Sequence, residues 1–175
     1  KAPDDLVSQI PLIKEALNVF EVKILEKEGF EADDLIGCIA KKASRKKIET
    51  IVVTGDMDLL QLVDSKVKVY ASRRGVKDTV LYDEEKVKER FKGLKPSQLT
   101  DYKALRGDPS DNIPGVIGVG EKTAIDLISR FGSLENLYKE IEKGTEEIRA
   151  SLKETLKKNK EKALLSKYLV ELKCD

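Results

Sequence analysis

The sequence predicts an α/β fold, a mostly parallel sheet covered by helices, followed by an all-helical region. Three observations carry that prediction. Up to Tyr82, β-branched runs alternate with helical stretches; from Asp83 onward only helical periodicity and glycine-rich turns remain; and neither half contains an internal repeat or a low-complexity segment. The seam near Asp83 divides the chain into an α/β core, 1–82, and a helical region, 83–175.

The elements follow in order. Pro3, Asp4 and Asp5 open a helix whose apolar stripe is Leu6, Ile10, Ile13, Ala16 and Leu17. Glu21 to Leu25 (EVKIL) alternates as a short strand, and Gly29 turns the chain. Asp33 to Ala43 reads as a helix with Leu35, Ile36, Ile39, Ala40 and Ala43 inward. Ile48 to Val53 is a β-branched strand stopped at Thr54-Gly55, and Leu59 to Val63 continues as a short helix. Lys66 to Tyr70 and Thr79 to Tyr82 read as strands joined by Arg73-Arg74-Gly75. Asp83 then caps a helix, Pro96 starts another, and helices occupy the rest.

Composition narrows the chemistry. The 175 residues are 40% hydrophobic and 37% charged, a globular balance. Net charge is +1, so affinity for nucleic acid must come from a local basic face. Histidine is absent, which excludes a Ser-His triad, a histidine base and His-ligated zinc. Cys38 and Cys174 lack metal-like spacing; Cys38, inside LIGCIA, reads as a small buried hydrophobe, and the pattern is a reduced, cytoplasmic one. No stretch reads as a membrane span or a signal peptide. The carboxylates that remain suit hard cations such as Mg²⁺ or Mn²⁺.

Three acidic clusters stand out: Glu31, Asp33 and Asp34 at a helix entrance, Asp56 and Asp58 just past a strand, and Asp108 and Asp111 in a loop after the helix ending near Leu105. Singly, each has a structural reading as a helix cap or an Asx turn. Jointly they point elsewhere. Loops at the carboxyl ends of parallel strands gather in one crevice, and seven carboxylates meeting there would repel one another without a cation. Two metal ions about 4 Å apart are the usual device for hydrolysing a phosphodiester. On this reading Asp33, Asp56 and Asp58 are the catalytic candidates, and all seven acids are metal candidates.

The segment from Ile113 to Ala124 holds Gly115, Gly118 and Gly120 ahead of Lys122 and Thr123. Glycines permit a tight turn and close approach of another backbone, and a helix start offers amides to a phosphate. A plain turn between packed helices is the alternative, but a basic residue at the helix start favours grip on a DNA backbone. The spacing fits neither a Rossmann fingerprint, since no strand precedes it, nor a Walker A motif, since Glu121 separates Gly120 from Lys122. Lys41, Lys42, Arg45, Lys46 and Lys47 read as a solvated face, and Arg73 and Arg74 as an exposed loop tip.

GFEADDLIGCIAKKA, IVVTGDMDLLQLV and ALRGDPSDNIPGVIGVGEKTAIDLISRFGSLENLY, in that order, resemble the 5′ nuclease domain of bacterial DNA polymerase I, within the flap endonuclease family. The resemblance covers nearly the whole chain. It implies a PIN/5′ nuclease-like fold with a helix–three-turn–helix element at about 96–131, gripping duplex DNA and holding K⁺ through backbone carbonyls. It implies a two-metal site in which Glu31, Asp33 and Asp34 serve one ion, Asp56, Asp58 and Asp111 the other, and Asp108 acts through water. It further implies cutting of branched, nicked or duplex DNA with a 5′ end, in replication and repair primer removal, by a monomer followed by a polymerase domain. The family's first strand, with its metal-binding Asp, and its basic arch have no counterpart here; Lys1 has no Met before it, and the chain reads as an excised piece. Two other readings stay open: a non-catalytic duplex-binding module and a PIN-type Mg²⁺ ribonuclease.

Overall fold

The computed structural model describes residues 3–72 and 79–174. Its elements are α1 (Asp4–Val19), α2 (Ala32–Arg45), β1 (Thr50–Thr54), β2 (Val67–Ser72), β3 (Thr79–Tyr82), α3 (Glu84–Arg90), α4 (Leu99–Arg106), α5 (Glu121–Phe131), α6 (Leu134–Glu142), α7 (Ala150–Lys158) and α8 (Lys160–Val170). Single 3-10 turns occupy Met57–Leu62 and Pro96–Gln98. The expected Arg73-Arg74-Gly75 connection lies outside the described residues.

The sheet is small, in the order β1-β2-β3. β1 pairs with β2 in parallel, Val52 opposite Val69, and β3 joins β2 antiparallel, Tyr82 opposite Val69. A parallel pair needs a crossover, and the turn Met57–Leu62 supplies it by burying Leu59, Leu60 and Leu62. Val67, Val69 and Ala71 of β2 point into the core and their neighbours out, the period of a sheet covered on one face. On the other face Ile51 and Val53 of β1 are exposed, so helices cover the sheet on one side only.

Two expectations at the N-terminus need correction. Glu21 to Leu25 forms no strand: Val22 and Leu25 are exposed, no described strand pairs with them, and Glu21 has φ +55°. Alternation alone cannot hold a strand without a ladder partner and a covered face. The α1 stripe is in register, but none of its residues is buried. In α2 Ala40 is buried and Ile36 packs against the core, whereas Ile39, expected inward, faces out. Cys38, expected buried, is half-buried, and its thiol donates to the Lys173 carbonyl at 3.2 Å.

The helical half is anchored by side-chain caps, of which Asp83 is expected from the sequence. The Asp83 side chain accepts from the Lys86 amide and Ser133 from the Asn136 amide, each worth about 1 kcal/mol. α4 packs on α5, α6 and α8. Leu99, Tyr102, Ala104 and Leu105 of α4, Leu127 and Ile128 of α5, and Leu134 and Leu137 of α6 share one continuous core with the sheet. That continuity fixes the loop after α4 against the end of β1.

Candidate metal and DNA-backbone site

Each acidic cluster is positioned by local chain logic. Glu31 precedes α2, and its amide donates to Asp34 Oδ2 at 3.3 Å. Asp33 and Asp34 fall in the first turn, where the helix dipole favours negative charge. Asp56 leaves β1 by one residue, and its carboxylate accepts the Asp58 amide at 2.8 Å. That bond folds Asp58 back toward the same side. Asp108 starts the loop after α4; its backbone bridges Ile113, and its Oδ1 takes the Ser110 amide and hydroxyl.

The result is a crevice of about 620 Å³ lined by Glu31, Asp33, Asp34, Asp56, Asp58 and Asp111. Asp108 lines an adjoining opening that shares Asp56, Asp58 and Asp111. Six of the seven acids line the crevice, and Asp108 lines the adjoining opening. They are not equally close. Carboxylate oxygens of Asp58, Asp108 and Asp111 lie within 4.8 Å of one another, close enough to share an ion, and no other such group occurs among the described residues. Asp56 lines the same openings as Asp58 and Asp111 and accepts the Asp58 amide, but is not among the three whose oxygens converge.

The electrostatics agree with crowding. Burial raises the Asp33 carboxyl, and the charges of Asp56, Asp58, Glu31 and Asp34 raise it further. Burial likewise pushes Asp58 up, against the opposing pull of Lys103. For Asp108 burial is outweighed by Lys103 and Ser110, which hold its pKa at about 2. Burial draws the Lys103 ammonium down, yet Asp108 and Asp58 keep it raised.

Sequence reasoning missed two contributors. Lys103 of α4 reaches in to donate to Asp58 and, at 2.8 Å, to Asp108. Nothing distinguished it among 33 basic residues, because its role depends on how α4 sits against the 3-10 turn. The second is the segment after α8. Leu172 lies against Gly37, where an added Cβ would come within 3.0 Å of its Cδ1, and the Lys173 amide donates to Asp34 Oδ1 at 2.8 Å. Residues so far apart in sequence leave no local signal.

In the glycine loop the three glycines divide by role. Gly115 is buried at φ +60°, and an added Cβ would sit 2.3 Å from the Gly107 amide nitrogen. A side chain there would meet backbone, so the position requires glycine. Gly118 has φ +85° with open space around it, and Gly120 precedes α5 without a side-chain cap. Lys122 is exposed and Thr123 half-buried in the first turn of α5. Gly118, Gly120, Lys122 and Thr123 thus share an accessible rim, and Gly115 supports it from beneath.

The described structure is thus an α/β core whose acid-lined crevice opens beside the end of β1, joined to a set of helices. The chain matches the family described as 5′-3′ exonuclease, N-terminal resolvase-like domain, over residues 1–92 and the 5′-3′ exonuclease, C-terminal SAM fold, over residues 94–175. It belongs to the 5′-3′ exonuclease family. It is 43% identical over 176 residues to DNA polymerase I of Bacillus caldotenax, covering all of this chain and 20% of that protein. It is 45% identical over 175 residues to DNA polymerase I of Bacillus subtilis, covering 100% of this chain and 19% of that protein. The chain thus spans about a fifth of the curated relatives it matches. Among solved structures, T5 5′-exonuclease with bound zinc aligns at TM-score 0.78 and 21% identity, over 98% of this chain and 63% of that one. The catalytic core of Rad2 in complex with DNA substrate aligns at TM-score 0.62 and 19% identity, over 100% and 59%. These two likenesses concern the fold.

No helix among the described residues is long and apolar enough to cross a membrane.

Proposed function

We propose that this chain carries the metal-binding and duplex-gripping parts of a structure-specific 5′ nuclease. Its reaction is hydrolysis of DNA phosphodiester bonds, as 5′-3′ exonuclease or 5′-flap endonuclease, in replication and repair primer removal. The observation that carries the reading is the trio Asp58, Asp108 and Asp111, with oxygens within 4.8 Å, opening onto a crevice lined by four further acids. A donor set made only of carboxylates suits Mg²⁺ or Mn²⁺.

In this reading the trio holds one ion, and Glu31, Asp33, Asp34 and Asp56 hold a second. Divalent ions so bound supply an activated water and steady the leaving oxygen. The protein groups do the positioning. Asp56 fixes Asp58 through its amide, Ser110 fixes Asp108, and the segment after α8 fixes Asp34. Asp33, Asp56 and Asp58 are the catalytic residues of this reading. The rim of Gly118, Gly120, Lys122 and Thr123 grips the phosphates of duplex DNA without reading bases, over the packing supplied by Gly115. Carbonyls of the same loop are where K⁺ would bind.

The partners proposed are branched, nicked or duplex DNA with a 5′ end. A polymerase domain in the same polypeptide accords with relatives named DNA polymerase I. Two unpaired cysteines accord with action in the cytoplasm, and the reading takes the chain as a monomer.

The test is direct. The chain is incubated with a 5′-flap DNA and Mg²⁺ or Mn²⁺, beside an Asp56→Ala/Asp58→Ala control. Metal-dependent release of the flap, lost in the control, is the expected result. Binding of DNA without cleavage by either protein would reduce the chain to a duplex-binding module.

A further inference from the structure

We infer that Lys103 is an internal counter-cation that occupies the position of an ion among Asp58, Asp108 and Asp111 and must leave when a divalent ion binds there. The inference rests on the nuclease reading in taking that trio as an ion site, and adds a residue which sets the ion's affinity.

The geometry is specific. Lys103 lies on α4 between Tyr102 and Ala104, both buried, and its own side chain is only 14% exposed. The ammonium donates to Asp58, lies 2.8 Å from Asp108 Oδ2 and 4.0 Å from Asp111 Oδ2. These are the same three carboxylates whose oxygens converge within 4.8 Å. An ammonium and a divalent ion cannot share such a space: both need the same lone pairs, and their charges repel strongly at that separation. The lysine also does what an ion would do for the fold. It ties the 3-10 turn after β1 to the loop after α4 and offsets the mutual repulsion of three acids. A flexible four-carbon stem lets it withdraw without moving the backbone. Arginine, longer and forked, would keep the charge and could not be displaced as simply.

Lys103 is therefore a positioning residue with two measurable consequences. It stabilises the ion-free chain, and it weakens the affinity of the trio for divalent ions.

The test is Mn²⁺ titration of the wild-type chain, Lys103→Met and Lys103→Arg, read by loss of the free-ion electron-spin-resonance signal. Thermal melts with and without Mn²⁺ accompany it. Lys103→Met is expected to bind Mn²⁺ about tenfold more tightly or better, because a repelling charge is gone. Adding Asp111→Asn, at an exposed position, should abolish the gain. The same variant should melt lower than wild type without ion and be stabilised more by it. Lys103→Arg should bind no more tightly than wild type. Unchanged or weaker Mn²⁺ affinity in Lys103→Met overturns the inference while leaving the metal site intact. Absence of Mn²⁺ binding in every chain overturns both the inference and the metal reading. Should Lys103→Met be unfolded without ion, recovery of its circular-dichroism spectrum on adding Mn²⁺ supports the inference, and failure to recover overturns it.

Discussion

Asp64 joins two elements through one carboxylate. It accepts the Ser44 hydroxyl of α2 at 2.6 Å and the amides of Lys66 and Val67 at 2.7 and 2.8 Å, so it fixes where β2 begins. Burial pushes its carboxyl up, but the Ser44 hydroxyl and the two amides outweigh that and hold it below the usual 3.8. A folded value below the unfolded one means that the carboxylate stabilises the fold above about pH 4. That contribution is lost as pH falls through the folded value. Asp64→Ala leaves two amides without their acceptor and should cost about 1–3 kcal/mol in urea unfolding at pH 7. Asp64→Asn should flatten the acid limb of stability below pH 4, a difference read from melts at pH 3 and pH 7. An unaltered acid limb would mean that other carboxylates govern it. A residue's own type announces little of this. Its three donors come from α2 and from the chain entering β2, which only folding brings together.

At the scale of elements, what was legible depended on whether an element carries its own signal. The cap Asp83, the β-branched runs of β1 and β3, and the helical texture of the second half are local features, and they hold. Glu21 to Leu25 had the alternation of a strand but no partner, and Ile39 had helical phase but no cover. Partners and cover are properties of the assembly. The same applies to α8, which carries Lys167 into a largely buried charge cluster. Lys167 lies 2.7 Å from Asp101 Oδ1 of α4 and 2.7 Å from Glu135 of α6, so one ammonium clamps three helices. Burial raises the Asp101 carboxyl against the pull of Lys167, and its Oδ1 has that ion pair but no well-directed hydrogen bond. Lys167→Met would leave a nearly buried carboxylate unpaired, at a cost of about 3–5 kcal/mol. The double variant Lys167→Met/Asp101→Asn removes the stranded charge and should recover much of that loss. Urea midpoints of the two single variants and the double close the cycle. Additive losses would mean that the pair does not interact.

For the whole molecule, the site was legible as residue types and spacing, because each acidic cluster sits at the end of an element the sequence marks. The finer grouping was not: Asp108 joins Asp58 and Asp111 through the packing of α4, and Lys103 enters only from that packing. Charge at this scale has its own consequence. Thirty-three basic and 32 acidic residues nearly cancel, and seven of the acids line the crevice or its adjoining opening. A polyanion therefore meets repulsion at the crevice and attraction only at local basic points such as Lys122. Affinity for a duplex should accordingly rise when Mg²⁺ or Ca²⁺ neutralises the crevice at fixed ionic strength. It should also fall with added salt on a shallow logarithmic slope, since few counterions are released. Lys122→Ala should reduce the magnitude of that slope by about 1 and weaken binding alike for duplexes of different sequence. Fluorescence anisotropy at several KCl concentrations, with wild type and variant side by side, provides the measurement. A slope unchanged by Lys122→Ala would remove Lys122 from the phosphate contacts. A sequence-dependent loss would instead assign it to base recognition, against the backbone-gripping role proposed for it.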